Sequence, residues 1–410
     1  MILSGLFAPL IISPGAARGA GEYFVFSAMR SLFFSTFLVL LVSFDGMGQH
    51  LVEVRPAIAM PDTLRGRLPV LLDTLFSQID RGKVDPSLLD PRHAELTADI
   101  LLSLKGMQHG DSLCAAYAVQ LINCYAIGAD EYFISLCCSG VDARGVPVLK
   151  SVFTLMARWV GGAIVFCVPV DHFTKGWATT VVGNVTYHSP RPINLERARL
   201  FDQKNTIIAT KLGLPPAALQ FYICNDYQEA LCLMGYAYDL GYNGVTRRGA
   251  GVIANTIFSV MGNEDFSHDL FHDYSYRIRT VRRNGAAEEG IAYSWGNAYY
   301  VDGRGGTITM EQLVPDLRAY VSAHPGISLL GLFREGGDGF SHLAPEVSGR
   351  NTIAALLSDE VEREKGVAGI RQLINCGPGD DNYFVALDAL IGVNAANFEV
   401  KVRGLMEGFK

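Results

Sequence analysis

The chain has no Cys-x-x-Cys pair, no Gly-x-Ser-x-Gly elbow and no sustained run of lysine and arginine. Each absence removes a class of protein. Without cysteines at ligand spacing, a structural zinc ribbon or a thioredoxin-like redox centre is not indicated. The missing serine elbow argues against an α/β-hydrolase. A net charge of −7 with no basic run argues against nucleic acid, because phosphate recognition needs a concentrated positive surface. Charge is sparse altogether, at 18% against 49% hydrophobic residues. A chain of 410 residues with that balance can bury a large core, should form about two domains and is not disordered.

Of the eight cysteines, seven fall between Cys114 and Cys232, and Cys376 stands alone. Their spacing shows no disulfide framework. Cys137 and Cys138 are adjacent, and most others sit in apolar runs such as Ile164-Val165-Phe166-Cys167-Val168. Buried thiols acting as small hydrophobes are therefore expected in preference to bridges.

Near the N-terminus, Met29-Arg30 is followed by the apolar run Leu32 to Phe44 and then by Gly46-Met47-Gly48. This is the layout of a secretory signal peptide, with Met29 as the start, cleavage after Gly48 and residues 1–48 as leader. A run of about thirteen residues is too short to span a bilayer comfortably, so no stable transmembrane anchor is expected. No cysteine stands at the cleavage point for lipid attachment. The expected location is extracytoplasmic, periplasmic or secreted.

After the leader, apolar spacing predicts helices over Asp62 to Ile79, Ala94 to Lys105 and Asp111 to Tyr125. Tyr132 to Cys138, Gly145 to Met156, Gly162 to Val168 and Val181 to His188 read as strands. Residues 49–192 thus form a small α+β domain, ending at Pro190-Arg191-Pro192. In residues 193–410 the pattern predicts a helix over Leu195 to Leu212, a strand over Gln220 to Cys224 and a helix over Tyr227 to Leu240. After the Arg248-Gly249-Ala250-Gly251 turn come a strand over Val252 to Met261, a helix from the cap Asn263 to the stop Asn284-Gly285, and a helix over Ala286 to Tyr300. The remainder is mostly helical, with Glu311 to Ser322, Asn351 to Glu362, Val367 to Ile374 and Asp381 to Leu390 as helices. The overall fold class is α+β.

The informative motif is His268-Asp269-Leu270-Phe271-His272, followed by Glu288-Glu289-Gly290-Ile291-Ala292. Histidines four apart lie one above the other on a helix, so both imidazoles can reach one ion. A carboxylate from a second helix completes a tripod and leaves a fourth position open, as in catalytic zinc sites. The bland alternative is that two of nine histidines share a helix face and each is satisfied by local hydrogen bonds. Arg277, Arg279, Arg282 and Arg283 also cluster, and helix-stop spacing reads them as cations complementing the C-terminal end of the His268 helix.

This arrangement resembles the gluzincin metallopeptidases of the zincin superfamily, whose helix carries His-Glu-x-x-His and whose next helix carries a Glu in a Glu-Gly-x-Ala setting. The resemblance covers roughly Arg197 to the C-terminus. It implies a zincin-like domain with a helical tail, Zn2+ as cofactor, His268, His272 and Glu289 as ligands, and Asp269 in the position of the general base. Glu288 is the other candidate ligand; Glu289 matches the Glu-Gly-x-Ala setting. The resemblance also implies that the strand matching Ile253 to Val260 is an exposed edge along which a peptide lies, with Ile253, Asn255 and Ile257 as substrate-binding residues, and main-chain pairing there would tolerate many sequences; the same strand reads equally as an ordinary core edge. Asp269 is one methylene shorter than glutamate, and misplacement by roughly an ångström can cost about 100-fold in rate. Tyr293, Tyr299, Tyr300, His324 and His342 are available as oxyanion donors, and Asp265 or Asp273 as partners orienting the histidines. The expectation is an exported zinc metallopeptidase acting on peptide or protein substrates. The alternative is a zincin-fold binding or scaffold protein of the cell envelope in which hydrolysis is weakened or lost.

Overall fold

Leu68, Leu72, Leu75, Phe76 and Ile79 recur at intervals of three and four residues and are all buried, which makes one continuous apolar stripe down a helix. The computed structural model that contains this helix describes residues 51–54, 58–242, 251–301, 306–337 and 339–409. The leader and the Arg248-Gly249-Ala250 turn lie outside the described residues. The chain is mixed α and β and divides into two compact units, one holding the described residues up to Arg92 together with Ile100–Phe166, the other His93–Asp99 and Cys167 onward. The expected boundary at Pro190-Arg191-Pro192 falls inside the second unit. Among the described residues no helix is long and apolar enough to cross a membrane.

The first unit contains β1 (Val52–Val54), α1 (Asp62–Arg65) and α2 (Leu68–Asp80), and α3 (Ala94–Leu102) follows in the chain. Next come the long strands β2 (Cys114–Ala126), β3 (Glu131–Asp142) and β4 (Pro147–Val160), then β5 (Ala163–Cys167). These five strands pair in sequence order, β1 parallel to β2, and β2, β3 and β4 antiparallel. The expected helix over Asp111 to Tyr125 is therefore wrong, since that stretch is β2. Its alanines favour helix, but Val119 and Leu121 point inward on either side of Gln120, and a register shift before Asn123 turns Cys124 inward as well. Cross-strand pairing overrides the local preference. All eight cysteines are free thiols, six of them buried.

In the second unit α4 (Val170–Phe173) precedes the hairpin of β6 (Ala178–Val182) and β7 (Val185–Ser189). The single strand expected over Val181 to His188 is thus two. Helix α5 (Leu195–Lys211) begins at Asn194, whose side chain accepts from the Glu196 and Arg197 amides. After β8 (Leu219–Ile223), α6 (Tyr227–Leu233) stops about two turns short of the expected end at Leu240, and Tyr236–Asp239 is extended as β9. The predicted strand over Val252 to Met261 is a tight hairpin, β10 (Val252–Ile253) and β11 (Thr256–Ser259), turning on Ala254 at φ 45° and Asn255 at φ 59°. A two-residue loop with both φ positive is the signature of a type I′ turn.

The sheet runs β10-β11-β8-β7-β6, with β7, β8 and β11 parallel and the two outer strands antiparallel. From β11 the chain enters α7 (Ser267–Ile278) and then α8 (Gly285–Trp295). Both ends of α7 differ from expectation: Asn263 bonds the Asp265 amide before the helix begins, and Asn284 caps the start of α8 instead of ending α7. Residues expected in one helix to Tyr300 leave it at Trp295 and enter the hairpin β12 (Tyr299–Val301) and β13 (Gly306–Ile308). Helices α9 (Met310–Ala323), α10 (Leu329–Glu335), α11 (Gly349–Ile374, broken at Gly366), α12 (Asp380–Ile391) and α13 (Phe398–Gly408) complete the unit. Helix α8 packs against α7, α11 and α12. At Gly290 an added Cβ would stand 2.6 Å from the Ala354 backbone, so only glycine lets α8 and α11 approach this closely.

Candidate metal centre

Ser267, Leu270, Phe271, Tyr274 and Ser275 bury one face of α7 and leave His268 and His272, one turn apart, on its half-buried flank. Glu289 projects toward them from α8. His268 Nε2 lies 3.3 Å from His272 Nε2 and 3.4 Å from Glu289 Oε2, and His272 Nε2 lies 3.4 Å from Glu289 Oε1. For bonds of about 2.05 Å to a tetrahedral zinc ion, adjacent ligand atoms should be about 3.3 Å apart. The three side chains thus have the edge lengths of a ligand tripod, and they are the group among the described residues whose donor atoms converge enough to hold a metal ion. The residues present fit the ion that the motif implies.

The carbonyl of Asn297 accepts from His268 Nδ1 at 2.8 Å. A carbonyl only accepts, so the proton sits on Nδ1 and the Nε2 lone pair is directed at the tripod. His272 Nδ1 is buried without a hydrogen-bond partner and faces Glu288 Oε2 at 3.5 Å, longer than a normal hydrogen bond. Glu288 is 1% exposed and paired with Arg279 and Arg283, and Arg283 also holds Glu289. The arginine cluster is therefore explained differently from the expectation: α7 ends at Ile278, and Arg279 and Arg283 neutralise the two glutamates of α8. Arg277 alone is in the last turn of α7, where it binds Asp273 and the Asn255 side chain.

Burial opposes ionisation of Glu289, yet its contact with His268 and the positive charge around it, with Arg283 paired to it, hold its carboxyl well below the usual range. Burial also opposes a charged His268, but Glu289 and Asp269 raise its pKa. Asp269, beside the first histidine, is pushed up by burial against the opposing pull of both histidines.

The other expected residues are scattered. Ile257 is wholly enclosed in the core and Ile253 is 7% exposed, while Asn255 sits at the hairpin turn. Asp265 and Asp273 do not orient the histidines directly, since Asp273 pairs with Arg277 and Asp265 with Lys204. Tyr300 is buried and its hydroxyl accepts the His268 amide at 3.0 Å. Tyr293 is buried and edge-on to the His268 ring. His324 is bonded to the Tyr320 carbonyl and His342 is paired with Asp316, both on α9. The Asn297 carbonyl had no sequence signal, because a backbone group carries none.

Compared with protein-family models, curated proteins and solved structures, the chain matches none of them. The site is therefore read from its own geometry.

Proposed function

We propose that this protein is an exported zinc-dependent metallopeptidase that hydrolyses peptide or protein substrates outside the cytoplasm. The observation that carries the reading is the triangle of His268 Nε2, His272 Nε2 and the Glu289 carboxylate, with edges of 3.3 and 3.4 Å. The apolar run Leu32 to Phe44 supports export.

His268, His272 and Glu289 would hold a zinc ion, which would supply Lewis acidity toward a water and a substrate carbonyl. Asp269, adjacent in sequence to His268, would be the carboxylate that takes a proton from the attacking water and passes it to the leaving amine. Asn297 keeps His268 in the tautomer that can ligate, and Arg283 holds Glu289 on the α7 side of α8. β10 is the outer, antiparallel strand of its sheet, joined through the hairpin to the strand that leads into α7. An extended peptide adding to that edge would be held by its main chain.

One observation favours a second reading, in which the protein binds a partner without cutting it. The side chain following His268 is aspartate, whose reach is about one methylene short of glutamate. Zinc content of the mature chain tests the first step, with near-stoichiometric zinc expected and lost in His268→Ala and Glu289→Ala; a zinc-free parent, purified without chelator, would overturn the metal reading. Asp269→Glu then separates the enzyme from the scaffold. Up to about 100-fold higher kcat/KM on an unstructured peptide library is expected for the enzyme, and no hydrolysis by either protein for the scaffold.

A further inference from the structure

The Asn297 carbonyl that fixes His268 belongs to a short link between α8 and β12, outside either element's hydrogen-bond ladder of its own. Something else must hold it. Lys204, on α5, reaches four acceptors in this link and at the start of α7: Asn297 Oδ1 at 2.7 Å, Asp265 Oδ2 at 3.1 Å, the Gly296 carbonyl at 3.2 Å and Ser267 Oγ at 3.3 Å. The Asn297 amide closes the circuit, donating to Asp265 Oδ2 at 2.7 Å and to Ser267 Oγ at 3.2 Å. Asp265, Ser267 and Asn297 are each at most 2% exposed. The fit is tight, since a Cβ at position 296 would fall 2.8 and 2.9 Å from the His268 N and Cα atoms.

We propose that Lys204 is a positioning residue for the metal centre: by fixing the side chain of Asn297 and the carbonyl of Gly296 it aims the Asn297 carbonyl at His268 Nδ1. The ammonium sets the imidazole tautomer from three links away without touching a ligand. This inference rests on the metal reading of the tripod. Partners that orient a ligating histidine are worth roughly 10–100-fold in metal affinity, and an amide side chain held at both ends by an ion pair is a stiffer support than a free loop.

The experiment is made on the full chain with Lys204→Met. The proton position on each histidine is read by nitrogen NMR without metal, and zinc affinity by competition with a chelator. In the parent, His268 should be protonated on Nδ1. In a folded Lys204→Met variant His268 should move toward protonation on Nε2 while His272 is unchanged, and zinc affinity should fall about 10–100-fold. Lys204→Arg, which keeps the charge and the donors, should recover most of that loss. A folded variant whose His268 stays protonated on Nδ1, with zinc affinity within about twofold of the parent, would overturn the proposal. If Lys204→Met does not fold, Lys204→Gln carries the same two readouts. A parent that binds no zinc overturns the metal reading alone, because the tautomer comparison still decides the role of Lys204.

Discussion

The two helices that meet at the candidate metal centre are built in opposite ways. Helix α7 is amphipathic, with one buried face and a half-open flank carrying both histidines. Helix α8 is buried nearly all round: of its eleven residues, Ala286, Ala287, Glu288, Gly290, Ile291, Ala292, Tyr293 and Trp295 are enclosed. A polar group on the open flank of α7 can turn to solvent or to a ligand. On α8 only Glu289 has such an outlet, and the other polar groups find partners inside: Glu288 takes Arg279 and Arg283, Ser294 bonds Asp359, and Trp295 Nε1 donates to Glu362 at 2.6 Å.

The sharpest way to break this contrast is to remove a carboxylate from the enclosed helix. Glu288→Ala leaves Arg279 facing a buried void and should cost about 3–5 kcal/mol in denaturant unfolding, whereas His272→Ala should cost metal binding with much less loss of stability. A loss below about 1 kcal/mol for Glu288→Ala would show that solvent reaches α8 after all.

Asp359 on α11 tests the same enclosure through pH. Burial raises its pKa from 3.8 to about 6, against the opposing hydrogen bond from Ser294. The folded chain therefore holds this proton more tightly than the unfolded one, and stability falls as pH rises from about 4 to about 6, by at most about 3 kcal/mol. Asp359→Asn should flatten that slope and unfold at a higher temperature than the parent at pH 7; identical curves at pH 4 and pH 7 for both proteins would exclude it. The smallest expected effect is that of Gly290→Ala, about 1–3 kcal/mol, as the new methyl pushes α8 from α11. An unchanged unfolding midpoint would mean that the two helices can separate freely.

The same contrast explains what sequence patterns could and could not say. The cluster on α7 and α8 was visible because a period of 3.6 residues places His268 and His272 together, and because Glu289 lies on the next helix. Strands β3, β4 and β8 and helices α5, α9 and α12 follow apolar spacing closely. The misreadings occur where a neighbour decides. Alanine-rich β2 is extended because β3 pairs with it, and the β10–β11 turn uses Ala254, whose side chain gives no turn signal. The two arginines read as a helix terminus are ion-pair partners of a buried helix, a role that depends on where α8 packs.

Asn284 caps the first turn of the glutamate helix, and its amide donates to the carbonyls of Gly377 and Gly379 at 2.7 and 2.8 Å. Those partners lie 93 and 95 residues further along. On a ribosome, both histidines and both glutamates would emerge well before the loop that anchors the glutamate helix. The helix that carries Glu288 and Glu289 is thus closed only by a loop made later, so the cluster of His268, His272 and Glu289 belongs to the finished unit and not to a growing segment of it.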